Sequence, residues 1–405
     1  MKYPVIIIFS IICICLFKIY GIAYAGVIGP CQKCHSMHDS QGGPAGPVNG
    51  ASPAGGGAQN TQISEVTSAA MPHLIKSDCL GCHSSTTNET IVDNGGIKIP
   101  IVDNDSNPGG GTLAGGNFYY VAKFGEQYGH NIFSKSRMAY APGLGGTPVL
   151  DALRTGAGNC SNSCHVTLYR PTVSVNGTSY TISGCQGCHL YTFHHQPKGP
   201  YNASDPMKVN PTYRFLTGHN YPNGNYVEGI EDPNYEQNGG TPGSHNVYMA
   251  NGSLAPGIIN ASNHSISSFC AACHGLFHIS TSARGFSGNI WIRHPVDTLV
   301  GKLVSDGEES TYYTGTGGEG TYDPAIPVAY DIDQADLYSD NVNIAARYSK
   351  VDGTHGKVTC LSCHRAHGSP YPAMLRFDYS KMIAGANSSN PGTGCFACHT
   401  DKALD

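Results

Sequence analysis

Charged side chains are scarce in this chain. They make up 13% of its 405 residues, against about 25% in ordinary globular proteins. The 23 basic and 28 acidic residues give a formal net charge of −5, and without a basic tract nucleic acid is not an expected partner. With hydrophobic residues at 40%, neither a coiled coil nor a charged disordered chain fits this composition.

Long uninterrupted segments are also scarce, because the chain contains 52 Gly and 25 Pro. These residues interrupt helices and strands, so a helix-rich enzyme is not expected. The alternation around Asn176-Gly177 predicts a β-hairpin over Thr172–Ile182. The best helical segment is Asp333–Ala346. We therefore expect a mostly irregular, loop-rich fold with short helices and a few β-hairpins.

Residues 1–25 have the layout of a cleaved export signal. Lys2 precedes an apolar run over Val5–Phe17, and small residues close the segment at Ala23-Tyr24-Ala25. An uncleaved anchoring helix is the alternative, but Lys18 ends the run short of the roughly 20 residues that span a bilayer. The mature chain is then a single domain over residues 26–405, exported to a compartment in which thiols do not stay reduced.

Cysteine and histidine are abundant instead, with 16 and 19 copies. Two cysteines lie inside the export signal, and the other 14 form seven pairs, each followed at once by a histidine. Two residues separate the cysteines of every pair except Cys160 and Cys164, which are separated by three. The seven motifs are Cys31, Cys34 and His35; Cys79, Cys82 and His83; Cys160, Cys164 and His165; Cys185, Cys188 and His189; Cys270, Cys273 and His274; Cys360, Cys363 and His364; and Cys395, Cys398 and His399.

This pattern is the attachment signature of c-type haem, in which two cysteines form thioethers with the porphyrin and the adjacent histidine is delivered to the iron. A disulfide scaffold or zinc knuckles would also pair cysteines. Neither requires the histidine, and seven pairs do not suit zinc sites built from two pairs each. For the Cys160 motif, a local disulfide to Cys164 is the competing interpretation. The sequence predicts seven haem c groups, with the histidine of each motif as the proximal ligand.

Twelve histidines lie outside the motifs, enough to give every iron a second, distal ligand. They are His38, His73, His130, His194, His195, His219, His245, His264, His278, His294, His355 and His367. An iron held by two imidazoles has no open position for a substrate, so we predict electron transfer and no catalysis. A multihaem reductase with one five-coordinate iron is the less favoured alternative.

Haem is also expected to serve as the core of the fold. Each porphyrin offers large apolar faces that water disfavours. Its thioether and axial bonds cross-link distant segments and reduce the entropy of the unfolded chain. With seven haems in a chain of this length, neighbouring rings should approach contact, so that electrons can hop along a stack wrapped by loops.

Longer runs around the motifs resemble a known family. They are Cys31 to Gly43, Gly129-His130-Asn131, Cys270 to His278, Arg293-His294-Pro295, Cys360 to Asp378 and the terminal Cys395 to His399. In this order, and over nearly the whole mature chain, they are similar to the hexahaem outer-surface c-type cytochromes of metal-reducing bacteria, which polymerise into extracellular nanowires.

The resemblance implies bis-histidine haems stacked in a continuous chain and head-to-tail filaments that carry electrons to external acceptors. It also suggests six distal ligands: His38, His130, His278, His294, His355 and His367. The seventh is then one of His73, His194, His195, His219, His245 or His264. We take His195, from the adjacent pair that closely follows His189. His38 is expected to ligate the haem of the Cys360 motif in the adjacent subunit, or else a haem of its own chain.

The resembled family has six motifs, and the extra one here is the long-spaced Cys160 motif. Its haem would lie either within the main stack or on a branch towards the surface, and either position could change the subunit contact. We expect an exported homopolymer outside the cell or at its surface, which exchanges electrons with redox partners and extracellular acceptors and has no stable membrane insertion. A monomeric periplasmic electron carrier is the alternative.

Overall fold

Short elements joined by loops make up the part of the chain that the computed structural model describes. The described residues are 79–109, 112–130, 172–175, 178–181, 185, 188–189, 192, 194–200, 210–217, 226–237, 245–250, 264–271, 282–284, 290–292, 294, 296–300, 320–338, 347–351, 355–384 and 393–399. The predicted export signal, the motifs of Cys31 and Cys160, and the histidines His38 and His278 lie outside these ranges.

The helices that are described are at most six residues long. They are α1 (Cys79–His83), α2 (Tyr119–Phe124), α3 (Ile266–Ala271), α4 (Gln334–Leu337) and α5 (Cys360–Cys363). Single 3₁₀ turns span Glu126–Tyr128, Tyr213–Phe215, Pro372–Met374, Tyr379–Lys381 and Gly394–Ala397. Within the described ranges, no helix has the length and apolarity needed to cross a bilayer.

The strands are two to four residues long and form small separate sheets. They are β1 (Ser84–Ser85), β2 (Ile91–Asp93), β3 (Lys98–Pro100), β4 (Asp103–Asn104), β5 (Thr172–Val175), β6 (Thr178–Thr181), β7 (Gly229–Ile230), β8 (Val247–Met249), β9 (Ser282–Arg284), β10 (Ile290–Ile292), β11 (Gly320–Thr321), β12 (Ala329–Tyr330) and β13 (Lys350–Val351). The sheet with three strands has the order β12-β8-β7, in which β8 is antiparallel to β7 and parallel to β12.

The predicted hairpin over Thr172–Ile182 is confirmed. Its strands β5 and β6 are antiparallel, and Thr172 pairs with Thr181 and Val175 with Thr178. This register leaves residues 176–177 as a two-residue loop, the position in which Asn-Gly is favoured because both residues can adopt a positive φ. The loop-rich fold with short helices and hairpins, predicted from the Gly and Pro content, is therefore present in the described residues.

The predicted helix over Asp333–Ala346 is wrong in its length. The helix α4 has four residues, and Tyr338 closes it with a φ of −116°. Residues 339–346 lie outside the described ranges. Tertiary contacts hold this short turn, since Arg347 and Tyr348 donate to the carboxylate of Asp336 at 2.5 Å and 2.6 Å. The spacing of apolar residues in the sequence does not predict these contacts.

The apolar core is divided into four clusters, none of which unites the described residues. The largest gathers side chains around β8, β12 and β13, including Val247, Val328 and Val351. A second lies beside it at Tyr213 and Tyr248. Two clusters of three and four residues pack α1 against α2 and close the β2–β3 hairpin. The division of the apolar core into four clusters agrees with the expectation that bound haems would connect them.

A buried polar network fixes the loops between β7 and β8. The carboxylate of Glu236 accepts hydrogen bonds from the Tyr322 hydroxyl at 2.6 Å and from the backbone N–H of Asn246 at 2.7 Å. Burial raises the pKa of Glu236. The side-chain oxygen of Asn246 accepts from the Asp232 N–H at 2.9 Å and from the Arg214 guanidinium at 3.2 Å. This network positions Arg214, whose backbone contacts a motif histidine.

Candidate haem sites

The attachment motifs whose two cysteines and histidine all lie within the described ranges of the chain fold as single helical turns. In three of them the histidine N–H donates to the carbonyl of the first cysteine, four residues earlier: His189 to Cys185 at 2.9 Å, His364 to Cys360 at 3.0 Å and His399 to Cys395 at 2.9 Å. A fourth motif forms α1. Side chains three and four positions apart share one face of such a turn, so the two sulfur atoms and the imidazole are presented together.

Two cysteines of these motifs have buried sulfur atoms. Burial raises the pKa of Cys363 to about 11 and of Cys398 to about 12, which places both sulfurs in apolar surroundings. The described residues also contain no group of three or more His, Cys, Asp or Glu suited to a metal held by side chains alone. The apolar surroundings of Cys363 and Cys398 fit sulfur atoms that would be joined to a porphyrin.

The motif histidines are held in the tautomer that binds metal. Their Nδ1 atoms donate to backbone carbonyls, His83 to Pro100 at 2.8 Å, His189 to Arg214 at 3.0 Å and His364 to Ala373 at 2.8 Å. A carbonyl can only accept, so Nδ1 carries the proton and Nε2 keeps its lone pair for the iron. Burial lowers the pKa of His83, and lowers that of His189 to about 4, which keeps both rings neutral.

Imidazole pairs occur at the spacing that a six-coordinate iron requires. An imidazole nitrogen lies about 2 Å from a transition metal and about 1.1 Å from its own ring centre, so two rings across one metal have centres about 6.2 Å apart. Three pairs, each with one motif histidine, have this spacing: His83 with His194 at 6.3 Å, His189 with His367 at 6.3 Å and His399 with His294 at 6.2 Å. The repeated value agrees with the spacing expected for two imidazoles that would share one iron.

The pair at α1 distinguishes between two neighbouring histidines. The ring of His194 is nearly parallel to that of His83, with 24° between their planes. Its pKa is lowered to about 4 by burial and by the nearby His83 and His195. The distance between ring centres thus favours His194 over the predicted ligand His195. It also assigns His194 to the site of His83, although His189 is closer to it in sequence.

Replacing either histidine of this adjacent pair gives a matched test. We expect the holoprotein with His194→Ala to bind carbon monoxide at one additional haem after reduction, because one iron loses its distal imidazole. His195→Ala should leave binding unchanged. Difference spectra at saturating carbon monoxide, normalised to haem content, measure both. Equal binding by the two variants would contradict the assignment of His194.

The site of the Cys185 motif includes a histidine suggested by the family resemblance. His367 faces His189 and packs against Phe118 at 4.8 Å between ring centres. Burial, with His189 and His130 nearby, lowers its pKa to about 3. Its Nδ1 is buried and has no hydrogen-bond partner among the described residues. His367 therefore stays neutral, as a ligand must.

Two further suggested ligands, His294 and His355, lie at exposed positions. His294 lies across from the motif histidine His399, with 81° between the ring planes. Two rings on opposite sides of one iron can have any angle between their planes, so this pair is as suitable as the parallel one. His355 is not one of the residues in these three pairs, and its ligand role stays a prediction.

The Cys360 motif differs from the other sites. His364 has no imidazole at pairing distance among the described residues. Burial lowers the pKa of His130, and the nearby His364 contributes to this lowering. The Nδ1 of His130 donates to the Ala366 carbonyl at 2.7 Å, which again leaves Nε2 deprotonated. His364 is thus the motif histidine without a paired imidazole among the residues that the structure describes.

The described sites lie next to one another. His83 contributes to lowering the pKa of His189, and His189 to lowering that of His194, so the Cys79 and Cys185 sites are neighbours. Cys395 contributes to raising the pKa of Cys363, so the Cys360 and Cys395 sites are neighbours as well. The segment from His364 to His367 connects these two pairs of sites.

Two candidate histidines are used in packing against tyrosines. His245 is almost fully buried and stacks on Tyr322 at 3.8 Å. His264 lies over Tyr226 at 3.7 Å between ring centres, and its Nδ1 is 3.4 Å from the carboxylate of Glu228. No feature of the sequence separates such histidines from ligands. The carbonyls that orient the motif histidines carry no sequence signal either, since they belong to the backbone.

Helical turns that present two cysteines and a histidine are the attachment sites of c-type haem, and their repetition defines a c-type cytochrome with several haems. Residues 354–404 match the family described as doubled CXXCH motif. This match covers the motifs of Cys360 and Cys395, the two neighbouring sites at the C-terminal end of the chain.

A curated cytochrome and a solved filament structure, both from Geobacter sulfurreducens, are similar to this chain. Over 401 residues the chain is 25% identical to "C-type cytochrome OmcS" of Geobacter sulfurreducens, covering 88% of this chain and 80% of that protein. A solved structure described as "Outer Membrane Cytochrome S Filament from Geobacter Sulfurreducens" is 18% identical, with a TM-score of 0.37 and coverage of 92% of this chain and 91% of that chain. Both descriptions name a cytochrome and neither names an enzyme.

Proposed function

We propose that this chain conducts electrons along a stack of bis-histidine haems. The observation that carries the proposal is the spacing of 6.2 to 6.3 Å in three imidazole pairs. The haems, when bound, supply one-electron transfer. His194, His294 and His367 would hold the irons together with the motif histidines, and an iron held by two imidazoles would have no position left for a substrate.

The contiguity of the sites supports conduction across the molecule. Electron hopping needs redox centres close to one another, and the Cys79 and Cys185 sites are neighbours, as are the Cys360 and Cys395 sites. The helix α3, which carries Cys270, approaches the Cys360 site through the hydroxyls of Ser267 and Thr359 at 3.2 Å. The motifs of Cys31 and Cys160 would extend or branch this series, giving seven haems in all.

The chain further acts as the subunit of an extracellular filament that delivers electrons to external acceptors. This part rests on the sequence resemblance and on His364, which lacks a partner imidazole among the described residues. A distal ligand supplied by His38 of the next subunit would complete this iron. Such a head-to-tail contact does not close on itself, so it generates a fibre, and each coordination bond across it would join two haem stacks.

Replacing His38 tests this proposal. In His38→Ala we expect the secreted material to lack filaments in electron micrographs and to bind carbon monoxide at one additional haem. The control is His194→Ala, which should also open one iron but keep its filaments, because that ligand belongs to the same chain. Wild-type protein that remains monomeric would favour a periplasmic electron carrier instead. Wild-type protein that binds carbon monoxide at one haem would favour a reductase with one five-coordinate iron.

A further inference from the structure

A strained turn that follows β7 carries a glutamate into the interior. The Gln237 N–H donates to the Asn234 carbonyl at 3.0 Å, and the two residues between them have positive φ angles, 58° at Tyr235 and 55° at Glu236. This left-handed backbone is unfavourable for a residue with a Cβ. Such strain persists only where the surroundings hold it, and it is frequent at functional sites. The turn therefore directs attention to the side chain of Glu236.

The carboxyl group of Glu236 is buried, and only one of its oxygens is hydrogen-bonded. Its Oε1 accepts from the Tyr322 hydroxyl at 2.6 Å and from the backbone N–H of Asn246 at 2.7 Å. Its Oε2 is buried and has no hydrogen-bond partner among the described residues. A buried ionised carboxylate is costly unless it is paired and both oxygens are hydrogen-bonded. The site therefore suits the neutral carboxylic acid better than the anion.

The groups around Glu236 leave this preference in place. Burial raises the pKa of Glu236, and Asp232 adds to the effect, while Tyr322 and Arg376 oppose it. The titratable or charged groups that face Glu236 from the neighbouring segments are Tyr213, Tyr248, Tyr322, Asp232, Arg365 and Arg376. Burial raises the pKa of the three phenols as well, so they stay protonated. Glu236 is thus an acid that titrates at a higher pH than an exposed glutamate.

Glu236 lies within electrostatic reach of a haem attachment turn. The Arg376 N–H donates to the Cys363 carbonyl at 2.8 Å, and the charge of Arg376 acts on Glu236. Arg365 follows the motif histidine His364 directly. Burial lowers the pKa of Arg365, and the charge of Glu236 opposes this lowering. Residues on both sides of the Cys360 motif therefore interact electrostatically with Glu236, and a charge that changes at this site would act on it too.

We propose that Glu236 is a proton-binding site coupled to the haem of the Cys360 motif, whose carboxylate takes up one proton from solvent when this iron takes up one electron. The ferric iron becomes ferrous, the carboxylate becomes a carboxylic acid, and the electron comes from the neighbouring haem. Reduction removes one positive charge from the site, so that a buried anion nearby becomes less favourable. This inference rests on the haems of the proposed function. The carboxylates of the haem itself are the other source of the same chemistry.

Redox titration of the full-length holoprotein at several pH values tests the proposal. A unit charge that acts over about 12 Å at an effective dielectric constant of about 20 changes an equilibrium about tenfold. We therefore expect the midpoint potential of one haem to fall as the pH rises, by about 59 mV in total, which is a tenfold change for one electron. The sign follows because ionised Glu236 favours the ferric iron. In Glu236→Gln the midpoint should stay at the low-pH value of the wild type, since glutamine is neutral at every pH.

Two further variants separate Glu236 from other acids. Asp331→Asn is the matched control, because Asp331 is exposed and lies 2.8 Å from the ammonium group of Lys357, and it should keep the pH dependence of the wild type. Tyr322→Phe removes a hydrogen bond to the ionised form of Glu236. This change raises the pKa of Glu236 further, so the fall in midpoint should move to higher pH. An unchanged pH dependence in Glu236→Gln would overturn the inference, as would its loss in Asp331→Asn.

Infrared difference spectra between the reduced and oxidised wild type identify the group that binds the proton, even if the variants do not fold. Reduction should produce the C=O stretching band of a protonated carboxyl. Labelling the haem precursor 5-aminolevulinate with carbon-13 at its carboxyl labels the haem carboxylates and no side chain, so the band should keep its position. A band that shifts on labelling, that persists in Glu236→Gln, or that never appears would contradict the proposal.

A failure of the proposed function would be seen separately. Haem content measured after extraction into pyridine shows whether the haems are present, and reversible reduction shows whether they carry electrons. A protein without haem would contradict the proposed function itself. Haems that are reduced reversibly with midpoints independent of pH would contradict the role of Glu236 alone.

Discussion

Without covalently attached haem, this chain is expected to have no cooperative fold. An isolated helix needs about 12–15 residues to be marginally stable in water, and the longest described helices, α2 and α3, have six. The strands have two to four residues, and the apolar residues fall into four clusters. We therefore expect the porphyrin faces and the bonds to iron to connect these short elements and clusters.

Production in cells with and without the haem attachment machinery measures this effect. The haem-free chain should lose the amide protection of β8 and β12 against hydrogen exchange and should show no sigmoidal thermal transition by circular dichroism. The haem-loaded protein from the same sequence is the control. A haem-free chain that melts cooperatively and keeps the protection of these strands would show that the polypeptide has a sufficient core of its own.

A graded form of the same experiment removes one haem. Replacing Cys185 and Cys188 by alanine should destabilise the folded state by more than about 3 kcal/mol, since a long cross-linked loop is opened and an apolar body is lost. His367 and His189 would then be left facing each other across an empty space.

The parts of this molecule that sequence predicts well are local. Cys395 and His399 lie within one turn of backbone, so the residues that attach a haem and provide its first ligand are adjacent in sequence. The hairpin β5–β6 is local as well, because Asn176 and Gly177 determine its loop. Such features require no knowledge of the remaining fold, and they include the class of cofactor.

The distal ligands are different, because their partners are distant in sequence. His367 faces His189 only after the chain between them has folded, and the choice between His194 and His195 depends on the direction of one side chain. The length of α4 was mispredicted for the same reason, since Tyr338 ends it and Asp336 is held by residues beyond it. Periodicity reports on neighbours along the chain and carries no information about these contacts.

A methyl group at Gly116 is expected to damage two haem sites at once. Gly116 has a φ of +83° and pairs with Gly368, so that an added Cβ would overlap the Gly368 carbonyl oxygen. On either side of this contact, Asn117 donates to Gly368 at 3.0 Å and His367 donates to Gly115 at 2.7 Å. Backbone segments this close cannot separate without moving His367.

We therefore expect Gly116→Ala to destabilise the holoprotein by about 4 kcal/mol, the sum of overpacking and of a left-handed alanine. It should also open the iron of the Cys185 site to carbon monoxide, and disturb His130 through its bond to the Ala366 carbonyl.

Gly96→Ala is the matched control for strain without overlap. Gly96 has a φ of +92°, but a Cβ there would meet nothing within 4 Å, so its cost should be about 1–2 kcal/mol from the left-handed backbone alone. Thermal midpoints and carbon monoxide binding distinguish the two variants. The contradicting outcome is that Gly116→Ala unfolds at the same midpoint temperature as Gly96→Ala and binds no additional carbon monoxide. That result would show that the contact between Gly116 and Gly368 does not position His367. The ligand would then depend on its own packing against Phe118.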